Sequence, residues 1–126
     1  REVRRLELKA AEGAKIVFSQ PIFELKTLET FLDRTRHLGL HFMLGIIPLR
    51  TARHAEFLHY EVPGMVVPAW VRSRMNASTE SVEKSMETGM TIAVEFLREA
   101  KHLVSGVYIM PPAKKYQMAI EMLGLI

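Results

Sequence analysis

Three short apolar runs, each followed by a stretch of helical periodicity, constrain this chain more than any other feature. They lie within Lys15 to Pro21, His41 to Pro48 and Gly106 to Met110. Ile16-Val17-Phe18 stays apolar where a half-exposed strand would alternate with polar residues, and so do Phe42 to Ile47 and Val107 to Ile109. Continuous runs of this length predict strands, the first two of them buried on both faces, the kind found in parallel sheets.

The intervening stretches read as helices. Val3, Leu6 and Ala10 recur at i, i+3 and i+7 over residues 1 to 12, with Gly13 as the terminator. No capping residue precedes that helix, so the chain is expected to be part of a longer one. Leu25, Leu28, Phe31 and Leu32 form a second stripe through about His37, ended by Gly39. Thr51 is a candidate N-cap for a third helix carrying Ala52, Ala55, Phe57 and Leu58 on its inner side, which Pro63-Gly64 breaks. Pro68 opens a short fourth helix. The long fifth helix, Glu80 to Leu103, has acids early and Arg98, Lys101 and His102 late, as its dipole favours. A last helix covers Lys114 to Leu123.

Helices between consecutive strands make βαβ units, whose strands run parallel. Three such units are a portion of a doubly wound sheet or of a (β/α)8 barrel, and a barrel takes ~250 residues, about twice this length. In both, ligands sit at the C-terminal ends of the strands. The three tips here carry Gln20, then Pro48-Leu49-Arg50-Thr51, then Met110-Pro111-Pro112 running to Lys114 and Lys115. Gln20 offers an amide that both donates and accepts, suited to a polar ring or to a neighbouring loop. The second tip leads into a helix N-terminus with Arg50 and Arg53 nearby, suited to a phosphate or carboxylate, or to solvent.

Much chemistry is excluded. Without cysteine there are no disulfides, thiolate nucleophiles or Cys-based zinc sites. The five histidines form no HExxH motif, so no metal site is assigned. Asp33, the only aspartate, falls mid-helix, and Glu24 is the lone carboxylate near a tip. No catalytic residue is assigned. The net charge of +3 is scattered among acids, which predicts no nucleic-acid partner. No apolar run approaches the ~20 residues that span a bilayer, and no signal-peptide core is present, which predicts no membrane partner and a cytoplasmic protein.

Four blocks in order carry a family resemblance: Phe18-Ser19-Gln20-Pro21-Ile22-Phe23; Gly45-Ile46-Ile47-Pro48-Leu49-Arg50 with His54-Ala55-Glu56-Phe57-Leu58; Glu61-Val62-Pro63-Gly64; and Gly106-Val107-Tyr108-Ile109-Met110-Pro111-Pro112. Together they resemble the C-terminal half of the methylenetetrahydrofolate reductase barrel, in the form often fused behind a homocysteine methyltransferase module. The resemblance spans nearly all of residues 1 to 126. It implies an α/β fold that is the C-terminal portion, about three β/α units with parallel strands, of a TIM (β/α)8 barrel whose N-terminal strands lie upstream.

The same resemblance implies a flavoprotein of one-carbon metabolism, with FAD at the C-terminal strand ends. Hydride passes from NAD(P)H through the flavin to 5,10-methylenetetrahydrofolate, giving 5-methyltetrahydrofolate. Gln20 matches the glutamine that meets the folate pterin and the nicotinamide, and Phe57 the aromatic that packs on substrate. Lys9 matches a basic residue near the flavin phosphates. Lys114 or Lys115 stands where the family often has an arginine for the folate tail, without the bidentate fork that arginine supplies. Implied partners are the folate substrate, the rest of the barrel, and a second copy or a fused methyltransferase module.

Two departures stand out: the usual Thr-Gln is Ser19-Gln20, and the usual Pro-Gly-Ile is Leu44-Gly45-Ile46. The family's acidic proton donor lies on earlier strands, so this chain alone is not expected to be a competent enzyme. The alternative is a non-catalytic reductase-like segment that serves as an interaction or assembly module, its strand edges covered by another chain.

Overall fold

The computed structural model describes residues 1–112 and 115–126. The order is α1 (Glu2–Ala11), β1 (Ile16–Pro21), α2 (Leu25–Thr35), β2 (His41–Ile46), α3 (Ala52–Glu61), α4 (Ala69–Asn76), α5 (Val82–Ala100), β3 (Gly106–Ile109) and α6 (Tyr116–Leu125). A single 3-10 turn, Arg36–Leu38, extends α2 to Gly39. The strands form one parallel sheet in the order β1-β2-β3. All three expected strands and every expected helix are present.

Caps explain where two helices start. The Thr51 hydroxyl accepts from the His54 amide at 3.0 Å, and the Ser81 hydroxyl from the Lys84 amide at 3.1 Å. Each satisfies one of the four N–H groups that the first helical turn leaves without a backbone partner. The long helix therefore begins at Val82, two residues past Glu80, where the charge pattern alone had put it.

Helices cover one face of the sheet. Phe42, Leu44 and Ile46 of β2 alternate along that face with Val17 beside them on β1 and Val107 and Ile109 on β3. They pack against Leu28 of α2, Leu97 of α5 and Met122 of α6, all without solvent exposure. A second core lies beneath α3 and α4, around Leu49, Leu58, Val71, Met75 and Ile92. Helix α5 is pressed so closely on the loop after β2 that a β-carbon at Gly89 would lie 1.9 Å from the Leu49 carbonyl oxygen. No helix of the described residues is long and apolar enough to cross a membrane.

The opposite face corrects one expectation. Ile16 and Phe18 on β1 are 55% and 63% exposed, so β1 is not buried on both faces. Its burial alternates residue by residue. The helices take the side chains of one parity only, while the other parity places Phe18, Met43 and Gly106 in one row across the three strands. The run is apolar on both parities, but among the described residues only one has a partner layer.

Candidate functional site

The tip of β1 is irregular. Phe18 pairs with Met43, but the next pairing is Pro21 with Gly45, so β1 takes three steps where β2 takes two. That is a bulge at Ser19-Gln20, a device that re-aims a side chain at the rim of a sheet. The Ser19 hydroxyl accepts from the Gly45 amide at 3.0 Å, and the Ile22 amide then donates to the Gly45 carbonyl at 3.2 Å. The serine that replaces the more usual threonine thus keeps a working hydroxyl.

Gln20 projects from the bulge toward the turn after α3. Its Oε1 lies 3.4 Å from where a β-carbon on Gly64 would stand, so the amide faces that turn. Around it is a cavity of about 760 Å³ lined by Arg5 and Lys9 of α1, Phe18 and Gln20 of β1, Glu24, and the 63–68 loop. The cleft therefore has an apolar wall, one neutral amide, two acids in Glu2 and Glu24, and two cations a turn apart on one helix, of which Arg5 pairs with Glu2 at 3.5 Å. Such a mix of apolar lining and few polar groups is typical of cofactor and substrate sites.

Glu24 closes one side of the cleft. Its Oε2 accepts from the Trp70 indole N–H at 3.1 Å and its Oε1 from the Thr27 hydroxyl at 3.2 Å, tying the start of α2 to α4. Helix α4 is held in turn by Arg72, whose Nε donates to the Val67 carbonyl and whose guanidinium donates to the Tyr60 hydroxyl of α3.

A family comparison meets this geometry. The sequence profile of methylenetetrahydrofolate reductase matches residues 1–122. The chain belongs to the methylenetetrahydrofolate reductase family. Methylenetetrahydrofolate reductase 1 of Schizosaccharomyces pombe (strain 972 / ATCC 24843) is similar to it, 26% identical over an alignment of 131 residues that covers 98% of this chain and 21% of that protein. The chain thus spans about a fifth of that reductase's length.

Within this reductase-family segment the residues singled out by sequence fall in two groups. Lys9 and Gln20, from different elements, line the same cleft. Phe57 does not: it is 53% exposed, whereas Ala55 and Leu58 of the same helix are buried. At 3.6 residues per turn, position 57 lies about 200° from position 55, so its ring faces away from the inner side on which it was expected. Lys115 also stands outside the cleft; its ammonium lies 3.7 Å from the Met86 sulfur on α5. Lys114 falls outside the described residues.

At the second tip, the Arg50 amide donates to His54 Nδ1 at 3.2 Å, and the Thr51 hydroxyl caps the helix. Side chains of the loop itself therefore take donors that an anion would use. The His54 imidazole is held below its ordinary value, chiefly by burial and then by the Arg50 charge, which matches its role as an acceptor.

Sequence reasoning missed Tyr108. From the middle of β3 its hydroxyl donates to the Ser19 carbonyl on β1, passing over β2. The one signal was a hydroxyl-bearing aromatic in an otherwise aliphatic strand.

Proposed function

We propose that this chain is the substrate-facing part of a flavin-dependent methylenetetrahydrofolate reductase, whose hydride passes from NAD(P)H through FAD to 5,10-methylenetetrahydrofolate and yields 5-methyltetrahydrofolate. The supporting observation is that Gln20 and Lys9, from separate elements of a chain of this family, line one cleft at the tip of β1.

The cleft suits such a cofactor chemically. Lys9 and Arg5 are one helical turn apart on α1 and both line the cavity, so they would hold the diphosphate of FAD. When bound, the flavin supplies the hydride exchange between nicotinamide and folate. The Gln20 amide donates to and accepts from the polar edge of the pterin, fixing which face it presents. Phe18 supplies an apolar wall that displaces water from the reacting ring. In this reading the uncovered parity of the sheet faces the interior of a (β/α)8 barrel, whose remaining strands also bring the acidic proton donor.

The full-length protein is expected to purify yellow. Gln20→Ala is expected to slow flavin reoxidation by methylenetetrahydrofolate while leaving the unfolding midpoint nearly unchanged. A colourless full-length protein, or a variant that reoxidises at the original rate, defeats the proposal.

A further inference from the structure

Ser19 uses both of its oxygens to hold the bulge. Its hydroxyl takes the Gly45 amide, and its carbonyl takes the Tyr108 hydroxyl from two strands away. The second bond depends on Gly45, which pairs directly with Tyr108 in the sheet. A β-carbon there would meet the Tyr108 hydroxyl oxygen at 2.8 Å and the Ser19 carbonyl oxygen at 2.9 Å. Real β-carbons do not sit that close, so the phenol crosses β2 only because position 45 is glycine. The ring also meets Phe18 edge-on, with centroids 5.6 Å apart. Burial raises the Tyr108 phenol above its ordinary value.

From this crossing we infer that Tyr108 is a positioning residue for Gln20: by fixing the Ser19 carbonyl it holds the bulge that aims the neighbouring amide into the cleft. The inference rests on the reading of Gln20 as the residue that meets the folate. Tyr108 is given no contact with substrate. It sets the direction of the residue that has one, as a supporting side chain does in a preorganised site.

The test uses the full-length protein, with Tyr108→Phe, Gln20→Ala and the double variant. Removing one positioning hydrogen bond raises the KM for methylenetetrahydrofolate by about fivefold to tenfold. The phenylalanine keeps the ring, so the unfolding midpoint stays close to that of the parent. In the Gln20→Ala background the same substitution has no further effect, because the group it aims is gone. Ser19→Ala, which frees the Gly45 amide without touching the tyrosine, shifts KM in the same direction. An unchanged KM in Tyr108→Phe alongside an impaired Gln20→Ala overturns the positioning role alone. So do effects that simply multiply in the double variant. An unimpaired Gln20→Ala overturns the role of Gln20 and this inference with it.

Discussion

The carbonyl oxygen of Leu49 occupies the space that any side chain at Gly89 would need, with 1.9 Å separating it from the position of a β-carbon. Leu49 belongs to the loop after β2, so this contact sets how closely α5 approaches one of the three strand tips.

Gly89→Ala brings two effects into opposition. Alanine favours an interior helical position by about 1 kcal/mol over glycine. Here the clash is with backbone, which moves only with its helix, and overpacking of that kind costs roughly 1–3 kcal/mol or more. A net loss of stability is therefore expected in urea unfolding. A variant as stable as the parent would show that the loop yields freely.

The pH dependence of stability follows from His54. Its folded-state value lies below the ordinary 6.5, by burial first and the Arg50 charge second. The unfolded chain then binds the proton more readily than the folded one, so the stability contributed above that pH is lost as the pH falls below it. His54→Gln removes this titration. The stability difference between parent and variant is expected to shrink on acidification through 6.5, measured by unfolding on either side of that pH. A difference independent of pH excludes His54 as the source.

Trp70 is the only tryptophan, and its indole N–H ends on Glu24 in the wall of the cleft. Glu24→Ala is expected to change the fluorescence emission and to cost about 0.5–1.5 kcal/mol, nearer the lower figure because the indole is 45% exposed. Emission unchanged from the parent would mean that the bond is not formed in solution.

Much of the fold was legible because it is local. Apolar runs and helical stripes marked all three strands and the helices, and Thr51 announced its own cap. The exposure of Phe18 was not legible, since a run apolar on both parities cannot say which one its own chain covers. Nor was the bulge at Ser19-Gln20, which is fixed by a hydroxyl 89 positions away. Gln20 was found from its place at a strand tip and Lys9 through family resemblance, and the two share a cleft. Phe57 also came from the resemblance, and the helical phase of Ala55 and Leu58 turns it outward, away from that cleft.

The uncovered parity of the sheet has a practical consequence. With β1 at the border of the sheet and Phe18 bare beside it, residues 1 to 126 produced in isolation carry both unpaired backbone and greasy surface in one place. Such a fragment is adhesive, and its behaviour in a test tube will depend on concentration long before it depends on any ligand.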